Sequence, residues 1–314
     1  MKALGFGAIV WDDIRKDDFR ADSVEKESEP QNIGGAVFNV MAHLAKLGCE
    51  SMMVSSIGTD KLGDSTMRAV ANTGVHTDML QRVDKPTCLI PVEFDQNGQP
   101  SYIIPEDVSF DYIEVSSAEI QSAREMDFDC FLFGTIEQRN EISRSGLHSL
   151  LEKCRFRRVL LDVNLRPPFY SPEVVAYSLH HCSVVKMSIE EADEINAMLQ
   201  IGPKETEPFC SAIRERFAIE QIVVTAGDEG AYHFDDEGFG HCPGYKVTVS
   251  DPVGAGDAFV AGLAHRLGSG GSLKSACDFG NRLGALIASK TSSIPEYDLA
   301  ELDELKTANI NTCN

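Results

Sequence analysis

Residues 251–259 read Asp251-Pro252-Val253-Gly254-Ala255-Gly256-Asp257-Ala258-Phe259 and lead directly into an amphipathic helical pattern over 255–267. The small residues leave the first N–H groups of that helix open at the positive end of its dipole. The stretch therefore predicts an anion-binding site at the helix start. Asp257 follows in the first turn, where a base that accepts a hydroxyl proton would be placed. The alternative is an ordinary glycine-containing helix start, with Asp257 as a partner for the dipole.

Around this stretch, short apolar runs alternate with helical patterns. Strands are predicted at 3–10, 51–57, 130–133, 159–162, 183–187 and 222–225, a further β-like stretch at 230–249, and helices at 36–47, 62–73, 255–267, 272–289 and 299–307. Such alternation is typical of βαβ units. We therefore expect one α/β domain over 1–314, a three-layer, doubly wound fold with a mostly parallel central sheet and helices on both faces. Ligands of such sheets bind beyond the carboxyl ends of the strands.

Two segments, at about 12–34 and 86–107, interrupt the alternation. The first is polar, and the second is typical of a hairpin with strands at 88–94 and 100–104 and a turn at 95–98. We expect the two insertions to form a small antiparallel β flap, a lid over the edge of the main sheet. An exposed flap edge favours a homodimer in which two lids pair.

A second glycine motif precedes the first long helix. Residues 32–39 read Asn32-Ile33-Gly34-Gly35-Ala36-Val37-Phe38-Asn39. Two glycines allow a close approach of backbone to a polyol, and the Asn39 amide can donate to hydroxyl groups and accept from them. A tight turn followed by a polar first-turn residue is the alternative interpretation.

Together, the two glycine stretches resemble both signatures of the ribokinase-like (PfkB-type) carbohydrate kinases. The resemblance implies ATP and Mg²⁺, with Asp257 as the base and residues Gly254, Ala255 and Gly256 as the anion hole. It implies that the sugar is bound by Asp12, Gly34, Gly35, Asn39, Tyr102, Asn164 and Arg166. It also implies that the nucleotide is bound by Ser188, Thr225, Gly227, Gly230, Gly254, Gly256 and Asn281.

The resemblance further implies two metal positions. Ser188 and Glu191 lie where the family has Asn-x-x-Glu, so Glu191 is expected to hold Mg²⁺ through water, although the same pair is also a regular capping box. The carbonyl groups of Asp251 and Val253 are candidates for K⁺. Two departures from the family pattern are Pro252, where Thr is common, and residues 291–293, where a common Gly is missing from the adenine loop.

The substrate is expected to be a neutral ketose, fructose first, phosphorylated on a primary hydroxyl. Kinases of keto-acid sugars usually carry an Arg after the flap strand, whereas this chain has Glu106 and Asp107 there, which would repel a carboxylate. Ribose, a nucleoside or 2-keto-3-deoxygluconate are alternative substrates. A nicotinamide-dependent oxidoreductase, suggested by Gly5 and Gly7, and a non-catalytic sugar sensor are alternatives from other classes.

Composition excludes further classes. The 314 residues carry 28 Lys and Arg against 49 Asp and Glu, a net charge of −21, which argues against nucleic-acid and anionic membrane partners. The 9 cysteines include no C-x-x-C pair, which indicates reduced thiols in the cytoplasm. No apolar run approaches a membrane span, and no Walker A sequence is present.

Overall fold

The computed structural model describes residues 1–14, 32–94 and 100–312. The strands in these ranges are β1 (Lys2–Phe6), β2 (Val10–Ile14), β3 (Asn32–Gly34), β4 (Glu50–Gly58), β5 (Leu80–Val83), β6 (Cys88–Phe94), β7 (Pro100–Tyr102), β8 (Cys130–Phe133), β9 (Arg158–Asp162), β10 (Val184–Ser188), β11 (Gln221–Thr225), β12 (Gly230–Asp235) and β13 (Gly238–Pro243). The helices are α1 (Ala36–Lys46), α2 (Lys61–Asn72), α3 (Ser117–Met126), α4 (Glu141–Lys153), α5 (Pro172–His180), α6 (Ile189–Leu199), α7 (Thr206–Phe217), α8 (Ala255–Gly268), α9 (Leu273–Ala288) and α10 (Leu299–Thr312).

The central sheet has the strand order β13-β12-β11-β10-β9-β8-β1-β4-β5. Its pairs are parallel, apart from the antiparallel pairs that β12 makes with β11 and β13 at one edge. The sheet is buried on both faces. In strand β8, Phe131 and Phe133 belong to the apolar cluster on one face, and Leu132 belongs to the cluster on the other. Helices α1, α8 and α9 cover the Leu132 face, and α3 to α7 cover the opposite face. The predicted three-layer fold class is confirmed.

A second, four-stranded sheet has the order β3-β2-β6-β7. Its outer pairs, β2 with β3 and β6 with β7, are antiparallel, and the central pair joins β2 to β6 in parallel with Val10 opposite Cys88. The small sheet thus unites the two predicted insertions. The predicted turn at 95–98 lies outside the described residues, as does most of the first insertion.

The predicted first strand is in fact two strands in two different sheets. Strand β1 ends at Phe6, and at the following Gly7 a Cβ would lie 2.5 Å from the Cβ of Val37. Asp12 therefore belongs to β2 of the small sheet and not to the end of a central strand. In the part of the chain that the structure describes, no helix is long and apolar enough to cross a membrane.

Candidate active site

Helix α8 begins at the carboxyl edge of the central sheet with Gly254 as its N-cap. Gly254 has a φ of 83°, and a Cβ there would lie 2.6 Å from the Cα of Ser293, so only glycine fits. The Ala255 N–H donates to the Pro252 carbonyl at 3.2 Å. Ala255, one of the predicted anion-hole residues, is thereby engaged, and the first-turn N–H groups of Gly256 and Asp257 remain to face an anion.

The two glycine motifs meet at Asp257. The Asn39 Nδ2 atom donates to Asp257 Oδ2 at 2.7 Å, which fixes the carboxylate and leaves its second oxygen for another partner. Burial raises the pKa of Asp257 to about 6, although the Asn39 hydrogen bond acts in the opposite direction. The Asn39 Oδ1 atom is buried without a hydrogen-bond partner in the described ranges. A carboxylate of this pKa can accept a proton near neutral pH.

The predicted sugar-facing residues surround this pair. Gly35, the N-cap of α1, has a φ of 121°, and a Cβ there would lie 2.2 Å from the Ala8 carbonyl oxygen. Gly34 is buried, but a Cβ there would meet only the Asn39 side chain, at 3.8 Å, so there is space beside Asn39 at this position. Asp12 is half-buried on β2, and burial raises its pKa. Tyr102 lies in β7, but its side chain is outside the described part of the structure.

A buried ion pair lies beside the start of α8. The Lys186 Nζ atom is 3.1 Å from Asp162 Oδ1, and both side chains are at most 10% exposed. The same ammonium group is the nearest atom, at 4.0 Å, to the place where a Cβ on Gly256 would lie. The attraction of Asp162, Glu191 and Asp257 raises the pKa of Lys186 against the opposing effect of burial. A positive charge therefore lies close to the first turn of α8.

Glu191 ties together two of the predicted segments. Its Oε1 accepts from the Leu165 N–H at 2.9 Å, and its Oε2 accepts from the Ser188 N–H at 2.7 Å. The capping box predicted for Ser188 and Glu191 is present at the start of α6. Asn164 in the same loop has a φ of 40°. Arg166 is exposed in this loop, and its positive charge partly offsets the rise in the pKa of Asp257.

The predicted nucleotide turn follows β11. Gly227 and Gly230 have φ values of 58° and 105°, and a Cβ on Gly230 would lie 2.1 Å from the Cys242 carbonyl oxygen. Thr225 pairs with Ser188 across the sheet, so this turn lies next to the Glu191 cap. Asn281 on α9 donates from Nδ2 to the Cys242 and Pro243 carbonyls at 2.9 and 3.2 Å. Its amide thus fixes the end of β13, which the sequence did not indicate.

The predicted K⁺ site lies in the turn before α8. Asp251 Oδ1 accepts from the Val253 N–H at 2.9 Å, and the Ser250 and Asp251 N–H groups both donate to the Ala288 carbonyl. Within the described ranges, no group of three or more His, Cys, Asp or Glu side chains is placed to hold a metal ion. A cation at either predicted position would therefore need backbone, water or phosphate oxygens as ligands.

The sequence analysis did not identify two buried charged residues, Lys186 and Glu137, as candidates for the site. Lys186 lies in the middle of β10, opposite Asp162, the last residue of β9, and only this pairing places it beside the cleft. Glu137 follows β8, is 3% exposed, and accepts the Ala8 N–H at 2.8 Å with Oε1, while Oε2 has no partner in the described part of the chain. A charged residue within an apolar strand was the one available signal for Lys186.

The chain is similar to known proteins over most of its length. The model of the family described as pfkB family carbohydrate kinase matches residues 3–298. Fructokinase-2 of Zea mays is 28% identical over 83% of this chain and 81% of its own length. Aminoimidazole riboside kinase of Salmonella typhimurium is also 28% identical, over 78% of each protein.

Solved structures show the same fold. The crystal structure of a fructokinase with bound ATP from Xylella fastidiosa superposes with a TM-score of 0.83 at 21% identity and covers 98% of both chains. Because the family model spans nearly the whole chain, the carboxylate, the glycine turns and the helix start described above all lie within the matched region. The chain belongs to the pfkB family of carbohydrate kinases, phosphotransferases whose acceptor is an alcohol group.

Proposed function

We propose that the protein transfers the γ-phosphoryl group of ATP to a primary hydroxyl of a neutral ketose, with fructose as the substrate. The observation that carries the proposal is the position of Asp257. Its carboxylate is held by Asn39 at 2.7 Å, directly beside the open N–H groups of α8. A proton acceptor next to an anion hole is the arrangement that hydroxyl-to-phosphate transfer requires.

In the proposed reaction, Asp257 accepts the proton of the attacking hydroxyl. The N–H groups of Gly256 and Asp257 and the Lys186 ammonium stabilise the charge on the transferring phosphoryl group. Lys186 is suited to this task because Asp162 holds it in place while its other N–H bonds stay available. Asp12, Gly34 and Asn39 orient the sugar, and the small sheet acts as a lid that excludes water.

A magnesium ion fits this arrangement as a partner of the phosphates. Asn39 Oδ1 has no hydrogen-bond partner among the described residues and can therefore accept one from a substrate hydroxyl. The space at Gly256, where a Cβ would meet only Lys186 Nζ at 4.0 Å, leaves room for a phosphoryl group. When bound, Mg²⁺ would neutralise phosphate charge. Glu191 would position its water ligands, and the carbonyls of Asp251 and Val253 would face K⁺. In a chain of net charge −21, such local cations offset repulsion of ATP.

The choice of fructose rests on two observations. Several similar proteins are named fructokinases, among them the one of Zea mays. Glu106 and Asp107 are exposed after the lid strand β7, where they would repel a sugar acid, although Lys85 forms an ion pair with Asp107. Aminoimidazole riboside is the second candidate because a kinase of that riboside matches this chain equally well.

A substrate panel tests the proposal. Purified protein with ATP, Mg²⁺ and K⁺ is assayed against fructose, aminoimidazole riboside, ribose, adenosine and 2-keto-3-deoxygluconate, and we expect the highest kcat/KM for fructose. The Asp257→Asn variant controls for a contaminating kinase. Higher kcat/KM for another acceptor would overturn the choice of fructose. Hydride transfer to a nicotinamide cofactor without ATP would overturn the class of reaction.

The lid and the dimer belong to the same proposal. The outer strands β3 and β7 of the small sheet each have one unpaired edge among the described residues, and such an edge favours pairing with a second copy. Light scattering after gel filtration tests this, with a dimer as the expected mass. If the protein is a monomer at assay concentrations, the lid acts within one chain and the proposed dimer is wrong.

A further inference from the structure

Helix α9 carries a thiol pair that the proposed chemistry does not use. Cys242 of β13 and Cys277 of α9 are 4% and 0% exposed, and their side chains hydrogen-bond one another. The Cys242 sulfur also donates to the Lys274 carbonyl at 3.4 Å, one turn before Cys277 on the same helix. The Cys242 thiol thus packs against α9 between Lys274 and Cys277.

The protonated Cys242 thiol donates to the Lys274 carbonyl, and two neighbours of the sulfur, Cys277 and His233, favour its ionisation. Strand pairing places Ala231 opposite Cys242 and His233 opposite Gly240, so the His233 ring and the thiol lie on the same face of the hairpin. The His233 Nδ1 atom is buried and has no hydrogen-bond partner in the described ranges. The hydrogen bond from Cys277 and the nearby imidazole lower the pKa of Cys242, while that of Cys277 is raised. A thiolate beside a protonated thiol is the arrangement of an attacking and a resolving cysteine.

Cys242 lines a cavity that a small oxidant can enter, and the thiol pair lies next to the predicted adenine pocket. A cavity of about 310 Å³ is lined by Cys242 together with Pro243, Lys274 and Asp278. Asn281, one turn after Cys277, holds the Cys242 and Pro243 carbonyls through its amide. A change at the thiol pair is therefore transmitted to Asn281 through the backbone of β13.

We propose that Cys242 and Cys277 are a peroxide-sensitive modification site that closes into a disulfide and weakens ATP binding. The Cys242 thiolate attacks one peroxide oxygen, the O–O bond breaks, and the leaving hydroxide takes up a proton to become water. The resulting sulfenic acid is attacked by the Cys277 sulfur. The S–S bond forms as the S–O bond breaks, and the Cys277 proton leaves with the hydroxide as a second water. Two thiols are oxidised and one peroxide is reduced.

The weakening of ATP binding follows from the Asn281 contacts. A disulfide requires a closer approach of the two Cβ atoms than a thiol hydrogen bond does, so β13 must move toward α9. The Asn281 amide then loses its alignment with the Cys242 carbonyl. We expect the KM for ATP to rise about fivefold, the equivalent of one ordinary hydrogen bond, with the KM for the sugar unchanged. This part rests on the proposed function and on the predicted contact of Asn281 with the nucleotide.

The disulfide can be detected by a measurement that does not depend on kinase activity. Native protein is titrated with hydrogen peroxide, the remaining thiols are blocked, and peptides are mapped by mass spectrometry without reduction. A peptide linking Cys242 to Cys277, reversed by dithiothreitol and absent from Cys242→Ser and Cys277→Ser, is the expected result. Cys210→Ser, which removes a buried thiol in α7 with a raised pKa, is the matched control and should oxidise like the wild type.

Each of the following outcomes contradicts one part of the proposal. A Cys242 that stays reduced while the urea-denatured protein oxidises, or a disulfide that involves another cysteine, overturns the modification site. A correct disulfide with an unchanged KM for ATP overturns its effect on the nucleotide. If the protein phosphorylates no sugar, the proposed function fails, whereas the peptide map still decides the thiol pair. Calorimetric titration of ATP into reduced and oxidised protein then replaces the kinetic measurement.

Discussion

Replacement of Asp257 by Asn should lower kcat by at least about 10²-fold and at the same time stabilise the protein. The pKa of Asp257 is about 6 against the ordinary value of 3.8, because burial disfavours its charge. A carboxyl with a raised pKa binds its proton more tightly in the folded state. Its ionisation therefore costs folding free energy, a cost that appears as the pH rises from about 4 and is complete above about 6. The difference corresponds to about 3 kcal/mol at pH 8.

Asn keeps an oxygen that can accept the Asn39 hydrogen bond but carries no charge. Since water in the open cleft screens the carboxylate, we expect Asp257→Asn to raise the free energy of unfolding by about 1–3 kcal/mol at pH 8, less at pH 5. Urea unfolding at both pH values measures this. The same variant should lose about 10²–10⁴-fold in kcat, and the wild-type kcat should fall as the pH drops below about 6.

Asp64→Asn is the matched control, because Asp64 also lies in the first turn of a helix, α2, but its side chain is 58% exposed. This variant should keep its activity and lose at most about 1 kcal/mol of stability. The reasoning is refuted if Asp257→Asn is less stable than the wild type at pH 8, or if it retains more than about a tenth of the wild-type kcat, since a general base contributes far more than that.

Other predictions concern the glycines, the buried lysine and the charge of the chain. Gly35→Ala should cost about 2–4 kcal/mol in urea unfolding, because its φ is 121° and its Cβ would overlap the Ala8 carbonyl, whereas Gly34→Ala should fold normally and raise the KM for the sugar about tenfold. Lys186→Met should lower kcat about 10²-fold with sugar binding by calorimetry unchanged; a normal kcat in folded protein would rule out its role at the phosphate. Activity should depend steeply on Mg²⁺, and the KM for ATP should decrease as added salt screens the charge of −21; a marked increase with salt would contradict the repulsion.

Local patterns predicted most of the fold. Strand β8 matches its predicted bounds, and α1, α8 and α9 differ from theirs by at most one residue at either end. These elements were predictable because apolar periodicity, caps and glycine C-termini act between residues close in the chain. The division of residues 3–10 between two sheets was not predictable, because it depends on strands distant in the chain: β1 pairs with β4 and β8, whereas β2 pairs with β3 and β6.

From the sequence alone, two glycine-rich helix starts with Asn39 and Asp257 can be recognised as motifs, and they predict which residues carry the chemistry. Only the tertiary structure decided how they meet. Asn39 and Asp257 are 218 residues apart, and Lys186 reaches the start of α8 because β10 lies beside β9 in the sheet. The raised pKa of Asp257 likewise arises from burial among several segments. Local preferences act over a few residues, whereas desolvation and side-chain contacts across a cleft exist only once the sheet has brought its strand ends together.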